Sequence, residues 1–502
     1  MPQCQRQCGR PQVVPAGGLC DTMSTRLASW MFYAGLLITP IYRGGNADAP
    51  PMILLVFCAL SLILSSLGST NTKRPALPTM GIILWAAWLG WLVFQLIPLP
   101  PDLLARLSPQ AFAYHQAVAQ AGGQAHYSLS LVPARGLELV VLSVTYAIVY
   151  LTTLSIAHDQ TSVRRVLSVI TLAAALEAVY GALHLLAGIG HPLLDPANAH
   201  QGVATGTFAN RNHFAAFLCL GFCAGLGLIL GRKNDPNSAG SMRARLRALL
   251  DLLTSELVLF RVLLLVIVVG VVLSQSRMGN AALALAVTVY ALAWLLSTRR
   301  AASFGKGLLL FVSIAVADVL LVSERYGLER VMERIEQTDY ESEVRFVAND
   351  MSHQLINRFG HIGAGLGSYP ILQESVRPEG FERSFRHAHN DYYEFWIEVG
   401  IPGLVLLGVL LLYHALRAAA ALRERRSWRR ASGAAVLAVI AAGLLHATVE
   451  FNFRIPAYVA YFVTLLALAT RLQGRGSTRS IGRWLKPNHK RGMKQDLDIQ
   501  RQ

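Results

Sequence analysis

The sequence predicts an all-α, polytopic membrane bundle of about twelve spans, with a large helical loop late in the chain. Composition is the first reason: the 502 residues are 53% hydrophobic and only 15% charged, whereas a soluble domain carries about 25% charged residues. Patterning is the second. The apolar residues gather in repeated runs of about 17–25 residues, the length at which a helix crosses a bilayer. Only helices and closed barrels satisfy their backbone in lipid, and the ten-residue alternation of barrel strands is absent. Charge placement is the third reason, because basic residues sit in short segments between the runs.

Taken in order, spans are expected at 27–42, 51–69, 78–99, 136–157, 166–190, 213–231, 257–273, 279–297, 307–322, 399–419, 433–449 and 455–472. The chain then divides into an N-terminal extension (1–26), nine spans (27–322), a large loop (323–398), three spans (399–472) and a basic tail (473–502). Met23-Ser24-Thr25-Arg26 makes a natural start, so residues 1–22 are expected to be dispensable. A second long loop, 100–135, is bounded by Pro98, Pro100, Pro101 and Pro133. Within the large loop, 326–335 has apolar residues at helical spacing and reads as a surface helix. A further helix covers about 342–358, and the glycine-rich stretch 361–369 reads as a flexible turn. No strand precedes that turn, so it is not a dinucleotide fingerprint. Residues 243–260 read as an amphipathic interfacial helix.

Alternating the spans places every lysine (Lys73, Lys233, Lys306, Lys486, Lys490 and Lys494) on one side, together with both termini. That side is expected to be cytoplasmic. The net charge of +16 is thereby a topology signal and an attraction to anionic lipid headgroups, not a nucleic-acid footprint. Cys58, Cys219 and Cys223 lie in apolar runs as small core residues. Cys4, Cys8 and Cys20 fit no common zinc spacing. No metal and no cofactor is expected.

Polar residues able to do chemistry collect at the opposite edge. Arg211 stands among Asn210, Asn212 and His213, and Arg277 stands in a tight turn between two spans. Arginine offers a planar fork of donors that matches phosphate oxygens, and it is rarely idle beside lipid. Snorkelling to headgroups is the competing role, and it is the better reading for Arg261. Late in the large loop, Arg377, Arg383, Arg386, His387, His389 and Asn390 crowd together, followed by Tyr392, Tyr393 and Trp396. His389 is the best general-base candidate, since imidazole titrates near neutral pH. After the eleventh span come Glu450, Phe451, Asn452, Phe453 and Arg454, where Glu450 is placed to pair with Arg454.

At these residues the chain resembles the O-antigen ligase and Wzy-type O-antigen polymerase superfamily of bacterial membrane glycosyltransferases. The ligase pattern is His, then Asn, Ser or Gln, then nine residues, then Gly-x-x-Gly. It is met by His389, Asn390, residues 391–399, Gly400 and Gly403. The segments Gly206–His213, Ser274–Gly279, Gly363–Gly367 and Glu450–Ala457 also resemble family segments. Glu450 stands where many relatives have Asp.

The resemblance implies a GT-C-like helical fold in the bacterial inner membrane, with cytoplasmic termini and a large periplasmic loop. It implies metal-independent, inverting transfer of a glycan from an undecaprenyl-diphosphate-linked donor to a hydroxyl of lipid A core or of a growing glycan. Arg211 and Arg277 would then stabilise the diphosphate, and His389 would deprotonate the acceptor. Asn210, Asn212, His213, Arg386, His387, Asn390, Tyr393 and Arg454 would contact substrate or support the loop. Ligase, polymerase and protein oligosaccharyltransferase remain alternatives. A lipid-linked glycan transporter is the alternative without chemistry, although it would place its charges nearer the membrane midplane.

Overall fold

The computed structural model describes residues 16–47, 49–67, 77–188, 202–231, 256–297, 345–381 and 384–473. The expected ninth span, the surface helix 326–335, most of 243–260, the basic tail and Cys4 and Cys8 lie outside the described residues.

Among the described residues the fold is helical throughout. In chain order the helices are α1 (Ala16–Ile38), α2 (Ala49–Leu67), α3 (Thr79–Leu96), α4 (Pro101–Leu107), α5 (Pro109–Gln120), α6 (Pro133–Ile156), α7 (Gln160–Ala187), α8 (Arg211–Leu230), α9 (Glu256–Leu273) and α10 (Arg277–Ser297). They continue with α11 (345–359) and α12 (Asp391–Ala421), α13 (Ser427–His446) and α14 (Pro456–Arg471). Eight of them, α2, α3, α6, α7, α8, α10, α12 and α13, are long and apolar enough to cross a membrane. Two shorter apolar helices, Val258–Leu273 and Pro456–Arg471, join them.

Local chemistry sets the helix ends. A capping box opens α7, with Asp159 Oδ1 accepting from Ser162 N at 2.7 Å and Ser162 Oγ accepting from Asp159 N at 3.0 Å. Proline occupies the first turn of α4, α5, α6 and α14, where its missing N–H costs nothing. Side chains of Asn210 and Asn390 cap α8 and α12.

The bundle is organised around α8, whose residues from His213 to Ile229 are buried on every face. It packs against α7, α9, α10 and α13. Two long non-spanning segments build a second apolar core at one end of the bundle. Leu104, Leu129 and Leu131 from the earlier segment meet Met351, Leu355, Tyr369 and Phe385 from the later one. The bundle and this cap are stitched together at a break in α12. Gly400 there has φ +63° and ψ −174°, and a Cβ on it would stand 2.3 Å from Ile362 C. The glycine-rich stretch runs along the break, with Ala364 N donating to Ile397 O at 2.9 Å and Gly365 N to Glu398 O at 2.8 Å. From α3, Gln95 Nε2 donates to Ile362 O and Glu398 O, and Trp91 Nε1 donates to Val399 O. The stretch read as a flexible turn is therefore a hydrogen-bonded seam, because three positive-φ glycines let its backbone lie directly on α12.

Candidate active site

The site forms where α7 and α9 end, α8, α10 and α12 begin, and the α13–α14 connection crosses. The first arm is the connection into α8. Asn210 Oδ1 accepts from Asn212 N at 2.8 Å, which starts the helix and presents Arg211, Asn212 and His213 in its first turn. Arg211 is half-buried and makes no ion pair or hydrogen bond among the described residues. The second arm is the turn from α9 to α10. Gln275 takes φ +54°, and Ser276 Oγ accepts from Gly279 N at 3.0 Å. Arg277 follows, exposed at the start of α10. Ser276 Oγ also donates to Asn212 Oδ1 at 2.7 Å, so the residues next to the two arginines are bonded to each other.

Glu450 is the node of the site. Its side chain is 1% exposed. Oε1 accepts from Asn212 Nδ2 at 2.5 Å and from Arg345 Nη2 at 3.0 Å. Oε2 lies 3.6 Å from both His213 Nε2 and His389 Nδ1. Those two separations exceed a hydrogen bond, so the coupling is electrostatic. Burial pushes the Glu450 carboxyl up, but His213 and His389 outweigh it and hold the group well below the usual carboxylate range. Phe451 gathers the histidines. The His387 ring stacks on it at 4.1 Å, while His213 and His389 meet it edge-on at 4.5 Å and 5.0 Å. His389 itself takes φ +50°, a strained conformation for a residue with a Cβ and one that gathers at functional sites.

A second ionic cluster lies beneath. Arg454 is 10% exposed, with Nε 3.1 Å from Glu394 Oε1 and Nη2 2.5 Å from Glu398 Oε2. Burial alone would lower the Arg454 guanidinium, and Glu398, Glu394 and Asp391 more than reverse this. Glu394 also accepts from Ala388 N at 2.9 Å and faces His387 Nδ1 at 2.9 Å. Glu398 Oε1 accepts from Gly367 N and Tyr369 N. One carboxylate ladder on α12 thus holds both the histidine loop and the glycine seam.

Sequence reasoning and structure differ in three places. Residues 391–398 belong to α12 rather than to a loop, because Asn390 Oδ1 caps Tyr392 N and Tyr393 N at 3.0 Å and 3.3 Å. Glu450 does not pair with Arg454; the short helical turn at 452–454 turns the arginine toward the α12 carboxylates. Tyr393 faces His353 of α11, with Oη 3.2 Å from Nε2. Arg386 is exposed. Arg383 lies outside the described residues. The sequence missed Arg345, which carries no local signal, and missed Glu450 as the partner of the histidines. Among the described residues no group of three or more His, Cys, Asp or Glu is arranged to hold a metal ion.

Helices of membrane length, with a histidine facing a buried carboxylate at one end of the bundle, define the class: a helical membrane protein with a polar site at one end. Residues 262–408 match the family model described as O-antigen ligase. That match supports the resemblance of the motifs to the O-antigen ligase and Wzy-type polymerase superfamily. The matched segment contains the Ser274–Gly279 turn, the glycine seam and the His389–Gly403 motif, while Arg211 and Glu450 lie outside it. No curated protein gives a significant match.

Proposed function

We propose that the chain is an O-antigen ligase-like glycosyltransferase that uses an undecaprenyl-diphosphate-linked glycan at the periplasmic face of the bacterial inner membrane. The acceptor is a hydroxyl of lipid A core. One observation carries the reading: Glu450 contacts His389 and Asn212 together, so a base candidate and the Arg211 helix start share one buried anchor.

The step is a single displacement. His389 Nε2 takes the acceptor hydroxyl proton while the acceptor oxygen bonds to the anomeric carbon. The bond from that carbon to the phosphate oxygen breaks, and undecaprenyl diphosphate leaves with the electron pair. Arg211 and Arg277 stabilise that charge as preorganised donors, the part a metal plays elsewhere. Inversion at the anomeric carbon follows. Glu450 orients the His389 ring and offsets the imidazolium that forms, as the carboxylate does in hydrolase triads.

The twelve-span topology belongs to the same proposal. It counts the eight long apolar helices and the two shorter ones, together with α1 and the sequence-read span 307–322, which lies outside the described residues. Both termini are cytoplasmic, which puts the site and its cap in the periplasm. Cysteine labelling from each side of the membrane tests the orientation.

The decisive experiment adds purified protein to lipid-linked glycan and lipid A core in proteoliposomes. Glycan attached to core is the expected product. Longer lipid-linked glycan instead would mean a polymerase. Donor moved across the bilayer unchanged would mean a transporter.

A further inference from the structure

Glu177 sits in the C-terminal half of α7, 5% exposed, and it makes no ion pair among the described residues. Among the described residues its hydrogen-bond partner is Thr207, in the connection that leads to α8. Thr207 N donates to Glu177 Oε2 at 2.8 Å. Thr207 Oγ1 lies 2.9 Å from Glu177 Oε1 and in closer contact with Pro40 O, just after the end of α1.

Counting protons decides the state of the carboxyl. A hydroxyl has one proton and a carbonyl has none. The shorter contact, to Pro40 O, takes the Thr207 proton. The Oγ1 to Oε1 contact then needs a proton of its own, and only Glu177 can supply it. An ionised Glu177 would set two lone-pair oxygens against each other, buried and without a cation, which is costly.

We propose that Glu177 is a neutral carboxylic acid that acts as a positioning residue for Arg211, on the glycosyl-transfer reading given above. As an acid it accepts from Thr207 N through Oε2 and donates to Thr207 Oγ1 through Oε1, leaving every contact satisfied. The clamp lies just ahead of the α8 cap. Gly181 lets the connection close on α7, since a Cβ there would lie 2.8 Å from Gly206 N. Ala204 N donates to Leu273 O at 3.0 Å at the end of α9. With residues 204–207 fixed to α7, α9 and the segment just after α1, the connection reaches Asn210 in a single position, and Arg211 opens α8 at a set place beside Asn212 and Ser276.

Glu177→Gln preserves both contacts, because its amide oxygen accepts from Thr207 N and its amide N–H donates to Thr207 Oγ1. This variant is expected to stay within about twofold of wild type in transfer. Glu177→Ala and Thr207→Val are expected to lower kcat/KM for the lipid-linked donor by roughly tenfold or more, with the acceptor KM unchanged. Infrared difference spectra of wild type against Glu177→Gln at neutral pH test the protonation without turnover. The carbonyl band of a protonated carboxyl should be present in wild type and absent in the variant. No such band would overturn the neutral acid, and a Gln variant as impaired as the Ala variant would overturn the positioning role. A band present in a wild-type protein inert toward lipid-linked glycan supports the neutral acid and counts against the transfer reading instead.

Discussion

Asn212 Nδ2 donates a 2.5 Å hydrogen bond to Glu450 Oε1, joining the first turn of α8 to the segment that leaves α13. Ser276 Oγ extends the same chain from the other side of Asn212 at 2.7 Å. Three segments far apart in sequence therefore share one polar thread, and His389 meets it at Glu450.

Removing the Glu450 charge is the sharpest probe of that thread. Glu450→Gln should lower transfer by about 10²-fold or more, the range of general acid–base contributions. Glu450→Asp should keep part of the activity. Initial rates in proteoliposomes check both, and a Gln variant at wild-type rate would remove Glu450 from the mechanism.

His389→Ala and Arg211→Ala should each abolish measurable transfer while the protein stays in the membrane. Arg261→Ala should behave as wild type, because Arg261 lies in α9, away from the described site, with its side chain exposed. Product gels beside membrane immunoblots read the outcome. Full activity in both site variants would sink the assignment.

Arg454→Ala strands Glu394 and Glu398 in a buried site. Breaking a buried ion pair from one side costs about 3–5 kcal/mol, so a marked fall in Tm in detergent is expected. Arg454→Lys should recover only part, because an ammonium cannot reach both carboxylates with a planar fork. An unchanged Tm in the Ala variant would mean the cluster contributes nothing to the fold.

The pH dependence of stability should carry the mark of Glu450. Its folded pKa is held well below the usual range, so its contribution is complete above the unfolded carboxylate value of about 4.3. That contribution is lost as pH falls through the depressed folded value. The Tm gap between wild type and Glu450→Gln should therefore be constant near neutrality and narrow only in acid below about pH 4. A gap that widens on acidification would contradict the sign.

Gly400 should not tolerate a side chain. Its φ of +63° and the 2.3 Å approach of a Cβ to Ile362 C combine strain with collision. Gly400→Ala should cost at least about 1–3 kcal/mol and open the seam between α12 and the cap. Proteolysis of the cap in folded membranes reads this directly.

Much of the bundle was legible because lipid imposes a simple rule. A crossing helix must be apolar for about 20 residues, and that survives in one dimension as the runs underlying α2, α3, α6, α7, α8, α10 and α13. The site was legible only as fragments. His389, Arg211 and Arg277 stood out as polar residues at the edges of apolar runs, where desolvation makes an idle charge costly.

What the sequence determined by itself was the class of fold and the residue types available at one end of the bundle, since both follow from local composition and spacing. The pairings were decided only by tertiary structure. Glu450 and Arg454 are close in sequence, yet the turn between them sends one toward His389 and the other toward Glu394 and Glu398. Partner choice for a buried charge depends on which opposite charge shares its low-dielectric pocket. That is a property of helices brought together from distant parts of the chain, and no spacing within the chain encodes it.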